Sequence, residues 1–519
     1  MAETTPRYAL LSVTDKTGII ELGYALKDLG YTLISYGSTA DALKQAELKV
    51  LDLRELVKSP DVLEGRLGFM HPRILIGLTA DRDKPGQMHE LERRHAVPID
   101  LVAVTFYPVA EIVGDAKLSQ SEILEFIDLA GSTLLRAAAR NFRHVIPLCD
   151  PDDYQPTIES LRQFGKLSVE KRQNLSAKAF HYTAYYDTTV AQYLGERWEK
   201  LPDELVIGLK KTVDLGYGEN PQQQGALYTL SGARPWGINA AELIHGKPLT
   251  YNHYLDLEVA WELATEITES ACVVVKHAVP VGAASSNKLS DAARLAFRCD
   301  PRGGFQGTAA VNRELDEDTA GIFAEQYVGC VAAPAFSHKA MLALKAKKDI
   351  RLVTLPSTLI SAHELDLKAV AGGVLVQDKD TQPMAASGPR VVTKRTPHEM
   401  EMKSLRLAWH VAKHARTHAA IICKGSATLG IGSGQTSRLD SLRLALVKSQ
   451  ERHPILPAGE PMVLASDGAL SAEHVQEAAA GGISAIMQPG GSSDDHDAIE
   501  AADAHNVAML FAGVRHFRH

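Results

Sequence analysis

Lys276 and His277 stand side by side where an apolar run ends in "CVVVKHAVPVGAASS", residues 272–286. A lysine partly withdrawn from water at a strand's carboxyl end is a strong local positive charge and a proton donor. The imidazole beside it titrates near neutrality and can accept a proton. Together they suit attack of an amine on a carbonyl: His277 takes the amine proton, and Lys276 steadies the oxyanion or the leaving nitrogen. A satisfied histidine beside a snorkelling lysine is the plainer reading. Neighbours on an ideal strand face opposite ways. A shared site therefore requires the chain to have left the strand at Lys276, turning at Pro280 and Gly282.

Other stretches could hold an anion. "SVTDKTGI" at 12–19 predicts a strand end, a helix capped by Thr14 or Asp15, and Lys16 on its first turn. "SYGSTA" at 35–40 repeats the idea with Gly37, Ser38 and Thr39. Ordinary capping explains either one alone; two on neighbouring strands point to a phosphate pocket at the strands' carboxyl edge. "EGRLGFMHPRI" at 64–74 sets Arg66, His71 and Arg73 in an irregular loop. "FIDLAGSTLLRAAARNF" at 126–142 spaces Arg136 and Arg140 one turn apart after Asp128, which reads first as a solvated face and second as an anion hold. "GYGENPQQQ" at 216–224 is a loop rich in amides. "GIGSGQTSRLDSLR" at 430–443 has Gln435 where G-x-G-x-x-G needs its third glycine, and it lacks the Lys-Ser/Thr end of a P-loop.

The elements that must position these residues alternate. "YALLSV", "YTLISYG", "LVAVTFYP" and "HVIPLCD" read as buried strands, and "GIIELGYALKDLG" as a helix stopped by Gly30. Such alternation predicts a parallel α/β sheet. Helical patterns fill 151–200, Pro202 follows, and a domain boundary is placed near 200, dividing 1–200 from 201–519. The second part is again α/β. "ACVVVKHAVPVGAAS" and "AAIICKGSATLGIGSG" are each an apolar strand, a lysine and a small-residue loop, which suggests an internal duplication.

At 519 residues, two to four domains are expected. Net charge is −8 with no dense basic run, so nothing electrostatic favours nucleic acid or an anionic membrane as partner. Cys149, Cys272, Cys299, Cys330 and Cys423 are scattered without C-x-x-C, against a zinc site and in keeping with a reducing cytoplasm. No apolar run reaches the ~20 residues of a membrane span, and the first residues lack a secretory signal's pattern.

Taken in order, "LLSVTDKTG", "GR…HP", "YP", "ID…AAARN", "YGENP", "VKH…P.G", "G.GQ.SR.DS.R" and "QPGGS…GVRHFRH" resemble the PurH family, in which AICAR transformylase is joined to IMP cyclohydrolase. The resemblance runs from about residue 8 to 519 and implies a methylglyoxal-synthase-like parallel-sheet domain followed by two cytidine-deaminase-like α/β units without zinc. It implies a homodimer with transfer sites at the subunit interface, small-molecule nucleotide or amine substrates, 10-formyltetrahydrofolate as cosubstrate, and no required metal. By the resemblance, Lys276 and His277 are the catalytic pair, with His277 as base. Tyr217, Gly218, Asn220, Gln222, Phe305, Gly432, Gly434, Gln435, Arg438, Asp467 and Arg515 fall on the transferase's substrate positions. Ser12, Thr14, Lys16, Gly37, Ser38, Thr39, Arg66, Tyr107, Asp128 and Arg140 fall on the cyclohydrolase site.

The sequence departs from the family pattern at active positions. Gly68 and Phe69 stand for a lysine and a threonine, Arg140 for a lysine, Tyr36 for a small residue, Gly216 for an arginine, Gln222 for a histidine and His418 for an asparagine; His418 is carried as a third catalytic candidate. Losing a lysine that steadies developing charge removes several kcal/mol of transition-state stabilisation. The expectation is a folate-dependent formyltransferase acting on AICAR or an altered amine, with the cyclohydrolase half impaired or repurposed. The alternatives are an ordinary bifunctional enzyme and, less favoured, a non-catalytic folate- or nucleotide-binding protein.

Overall fold

A computed structural model of the chain describes residues 6–58, 68–113, 117–195, 201–231, 236–356, 365–382, 384, 388–452 and 459–519. They form two compact units: Met1–Lys210 with Thr229–Arg234, and Lys211–Tyr228 with Pro235–His519.

The first unit holds a five-stranded parallel sheet of β1 (Arg7–Val13), β2 (Tyr31–Ser35), β3 (Val50–Asp52), β4 (Leu101–Thr105) and β5 (Ile146–Leu148), ordered β3-β2-β1-β4-β5. The four expected strands are β1, β2, β4 and β5; β3 is three residues long, too short to show a pattern. Leu10, Ile34, Val102 and Val104 point into one core and Leu11, Leu33, Leu101 and Ala103 into the other. A strand buried on both faces reads as a continuous apolar run. The order reverses at β1, and the carboxyl ends of the strands at such a reversal are where α/β sheets bind ligands.

One expectation about helix onset is corrected. The Asp15 carboxylate accepts the Thr17 amide at 2.9 Å, Gly18 occupies the N-cap at φ 67°, and the helix runs Ile19–Asp28. Lys16 therefore lies in the turn ahead of the helix, not on its first turn.

The second unit includes most of the hairpin β6 (Leu209–Leu215) and β7 (Gly225–Leu230). Its main sheet has twelve strands. One half comprises β8 (Glu242–His245), β9 (Ser270–Lys276), β10 (Val279–Ser286), β11 (Thr308–Val311), β12 (Cys330–Ala333) and β13 (Arg351–Thr354). A separate hairpin follows, β14 (Leu365–Val370) and β15 (Gly373–Asp378). The other half comprises β16 (Arg390–Val391), β17 (Ala420–Lys424), β18 (Ala427–Gly432), β19 (Met462–Ser466), β20 (Ile483–Gln488) and β21 (Ala508–Phe511). The order β16-β21-β20-β19-β17-β18-β10-β9-β11-β12-β13-β8 is a mirrored pair of one topology, joined by β10 and β18.

The duplication is firmer than the sequence pattern suggested. Each half is a hairpin (β9–β10, β17–β18) whose first strand pairs antiparallel with a third, which continues into two parallel strands. Trp261 and Trp409, Lys276 and Lys424, and Gly282 and Gly430 correspond at a constant spacing of 148 residues (430 minus 282). Alternation places Val273, Val275, Ile421 and Cys423 against the two tryptophan-bearing helices, Tyr251–Glu266 and Glu399–His414. Gly282 and Gly430 permit a close approach on the opposite face. A Cβ there would lie 2.0 Å from the Ala296 carbonyl and 2.1 Å from that of Ala445. Alanine at either site would push a helix off the sheet, at about 1–3 kcal/mol.

Candidate functional site

Lys276 is the last residue of β9 and pairs with Val279, so the chain has not left the strand there. The turn falls at His277 and Ala278, with φ +55° and +56°. Pro280 and Gly282 lie within β10, flanking a register shift, and do not make the turn. The left-handed backbone re-aims His277 away from strand alternation, leaving it exposed while Lys276 is half-buried. Lys276 Nζ donates to the Phe305 carbonyl; the Phe305 ring is half-exposed, 6.2 Å from that of Tyr327.

The sheet register gathers further candidates at the same edge. β10 runs back from Ala284 toward Val279 while β18 advances from Ala427 toward Gly432, and Ala420 stands opposite both Gly432 and Ser466. His418, Gly434, Gln435, Arg438 and Asp467 thus belong to the edge that carries the Lys276–His277 turn. His418 sits at φ 58°, its Nδ1 3.1 Å from the Gln435 carbonyl. Gly434 sits at φ 69°, and its amide donates to Thr417 O at 3.1 Å. Gly432 has a packing role, since a Cβ there would strike the Ser441 carbonyl at 1.9 Å.

Asp467 is fully buried, and burial raises its pKa, yet it is well satisfied. It accepts the Ala419 amide and the Thr417 hydroxyl, each at 3.0 Å, and Arg438 Nη2 at 3.5 Å. Arg438 also donates to Ala469 O at 2.6 Å; burial lowers its pKa, and the charge of Arg515 adds to that. The Phe517 ring lies 5.8 Å from the Arg438 guanidinium and 4.2 Å from that of Arg515. Two arginines converging on one aromatic suit a phosphate or carboxylate. Sequence reasoning missed Phe517 and Thr417; the only available signal was an aromatic between basic residues in "VRHFRH".

Tyr217, Gly218, Asn220 and Gln222 occupy the turn between β6 and β7, with Gly218 buried and the other three exposed. Its hydrogen bonds close on itself: Gly218 N to Gln223 O at 2.7 Å, and Asn220 Nδ2 to Gln223 Oε1 at 2.9 Å. Asn252, on the Tyr251–Glu266 helix, reaches the Glu219 carbonyl at 3.4 Å.

In the first unit, Lys16 Nζ donates to Val13 O and lies 3.3 Å from Ser38 Oγ and 3.2 Å from Thr39 Oγ1; burial lowers its pKa. Gly37, at φ 60°, starts the helix Gly37–Gln45 that carries both hydroxyls. The Thr14 and Asp15 amides donate to Thr105 Oγ1 at 2.8 and 3.1 Å, locking this turn to the end of β4. Ser12 sits within β1 opposite Val104. Tyr107 stacks on Phe126 at 4.6 Å. Asp128 caps the helix Leu129–Arg140, accepting the Gly131 amide at 2.7 Å, and burial raises its pKa. Arg66 lies outside the described residues.

Arg140 is a correction. It is exposed on the last turn of the helix that Asp128 caps, at ~1.5 Å of rise per residue the length of the helix away. That helix leads into β5, so Asp128 is at the sheet's carboxyl edge with Lys16 and Arg140 is at the opposite edge. Tyr36 and Phe69, both departures from the family pattern, pack edge to face at 6.4 Å, with the Arg54 guanidinium 5.3 Å from the Tyr36 ring.

A family model described as "AICARFT/IMPCHase bienzyme" matches residues 138–448, and one described as "MGS-like domain" matches 18–133. The chain is 41% identical over 520 residues to a Persephonella marina protein named "Bifunctional purine biosynthesis protein PurH", covering 99% of this chain and 100% of that one. It is 43% identical over 515 residues to a Chloroflexus aurantiacus protein of the same name, covering 98% of each. A solved structure, "Crystal structure of ForH", is 32% identical and covers 37% of this chain and 100% of its own, with a TM-score of 0.34.

Proposed function

The chain belongs to the PurH family of bifunctional purine-biosynthesis proteins, and from that premise we propose that it catalyses both family reactions, formyl transfer to AICAR and closure of formyl-AICAR to IMP. The observation that carries this is similarity along the whole chain to relatives named for both activities. It favours AICAR as acceptor over the altered amine that the substitutions first suggested.

In the transfer step His277 takes a proton from the AICAR amine as its nitrogen bonds to the formyl carbon of 10-formyltetrahydrofolate. Lys276, at the end of β9, faces the charge that develops on the formyl oxygen. The bond from that carbon to the folate nitrogen then breaks, and tetrahydrofolate leaves with a proton on the nitrogen. Arg438 and Arg515 hold the nucleotide phosphate beside Phe517. His418 stands at the same edge as a candidate partner of the acceptor. The mechanism assigns proton transfer to side chains and calls for no metal ion.

Ring closure belongs to the first unit, with Lys16, Ser38 and Thr39 on the phosphate. A homodimer fits the β14–β15 hairpin, a two-stranded sheet that exposes Val370, Val374 and Leu375. Among the described residues no helix is long and apolar enough to cross a membrane, and five buried free cysteines suit a cytoplasmic enzyme.

The test follows the two steps separately. Purified protein with AICAR and 10-formyltetrahydrofolate is expected to release tetrahydrofolate, and synthetic formyl-AICAR to close to IMP. Transfer without closure would leave the first unit repurposed. Release of tetrahydrofolate with another amine but not with AICAR would restore the altered acceptor.

A further inference from the structure

The turn that carries His277 is strained in a specific way. His277 and Ala278 both occupy the left-handed region, the two-residue hairpin geometry that asparagine and glycine ordinarily supply. Neither residue is of that kind, so something outside the turn must hold it. Asp256, on the helix Tyr251–Glu266, accepts the Ala278 amide at 2.7 Å. Its carboxyl is mostly withdrawn from water and faces His277, Lys276 and the Thr308 hydroxyl, so it lies beneath the turn.

The second half of the sheet provides an internal control. At the 148-residue spacing, Asp256, His277 and Ala278 correspond to Ser404, Gly425 and Ser426. Gly425 takes φ 59° without steric cost, and the Ser404 hydroxyl donates to its carbonyl at 2.5 Å. A half-buried carboxylate that accepts the turn's second amide therefore stands under the turn that displays a histidine, and a hydroxyl that donates to the turn's first carbonyl stands under the one that displays glycine.

We propose, building on the assignment of His277 as the base, that Asp256 is a positioning residue: by holding the Ala278 amide it keeps the turn left-handed and the His277 imidazole at the sheet edge. The measurement is formyl transfer to AICAR by the full-length chain carrying D256A, D256N, D256A with A278G, or H277A. D256A is expected to lower kcat about 10- to 100-fold with KM within about threefold, because a misplaced base costs chemistry more than binding. D256N keeps an acceptor oxygen and should stay within a few-fold of wild type. A278G, which holds a left-handed turn unaided, should restore most of the kcat lost in D256A. Wild-type kcat in D256A beside an inactive H277A overturns the role of Asp256 alone, as does a loss that A278G leaves unrepaired. An active H277A overturns the base itself, whatever Asp256 does. Should D256A not fold, D256N decides: a kcat below about a tenth of wild type counts against the proposal.

Discussion

Asn312 and Asp467 occupy equivalent places in the two halves of the duplicated sheet. Asn312 Oδ1 accepts the amide of Ala271 at 2.8 Å, and Asp467 Oδ1 accepts that of Ala419 at 3.0 Å. Asn312 spends its amide nitrogen on the carbonyls of Ile267 and Glu269, whereas Asp467 takes the Thr417 hydroxyl and Arg438. The backbone task is shared; the charge belongs to one half only. Asn312 shows that a side-chain amide meets the backbone requirement.

It follows that Asp467→Asn should leave the fold intact and disturb the site. Melting should change by no more than a few degrees, since the Ala419 amide keeps its acceptor. Formyl transfer should lose about tenfold in kcat/KM, because Arg438 loses the anion that orients it. A large fall in melting temperature with transfer preserved would make Asp467 a structural residue only.

Replacing His277 with glycine should separate stability from activity. A residue with a Cβ at φ +55° costs about 1 kcal/mol that glycine avoids. His277→Gly should therefore raise the melting of the C-terminal unit by a degree or two. The same change should cut formyl transfer by about 10²- to 10⁴-fold, the usual share of a general base. A lower melting temperature would show that the turn is not strained at this position.

The contrast between these residues marks what a sequence can disclose. Lys276 and His277 stood out because polar residues abut a buried apolar run, which is a local signal. The turn was misplaced to Pro280 and Gly282 because the true turn residues carry no sequence mark; their conformation is imposed by Asp256, twenty-two residues away. Gly282 instead answers to helix packing against the Ala296 carbonyl, a long-range cause. Asp128 and Arg140 were grouped by motif, but a helix lies between them. The duplication showed only faintly because a shared sheet topology demands apolar character at matched positions rather than identity, so few pairs such as Trp261 and Trp409 are the same residue.

Acid should weaken the C-terminal unit through two capping histidines. His253 Nδ1 accepts the Thr250 amide at 3.2 Å, and His474 Nδ1 accepts that of Ser471 at 3.2 Å. Burial, with the charge of Arg351, brings His253 down to about 4; burial lowers His474 in the same direction. The unfolded chain takes its proton near pH 6.5, about the usual histidine value. The folded chain binds fewer protons, so this stability is present above about pH 6.5 and is lost as pH falls toward 4. Discounted for partial exposure, His253 accounts for about 1–2 kcal/mol. Glutamine at both positions can cap without titrating. The His253→Gln, His474→Gln double variant should show a flatter decline in melting temperature between pH 7 and 4; an unchanged slope would assign the acid sensitivity elsewhere.

The last prediction concerns the two equivalent helices that cover one face of the duplicated sheet. Glu266 on the first meets Lys413 at 2.5 Å, His414 at 3.1 Å and His410 at 3.4 Å on the second. Burial pushes its carboxyl up, but His414, His410 and Lys413 together hold it far below the usual carboxylate range. Glu262 reaches Lys379 at 2.5 Å alongside. Removing one member of such a cluster strands the others away from water, at about 3–5 kcal/mol. Glu266→Gln and Lys413→Met should each destabilise by that order in urea melts. Glu266→Leu combined with Lys413→Met removes both charges together, so the double variant should be more stable than either single one. Additive losses would mean that the four groups are neighbours without being coupled, and that the helices are held by Trp261, Trp409 and their apolar contacts alone.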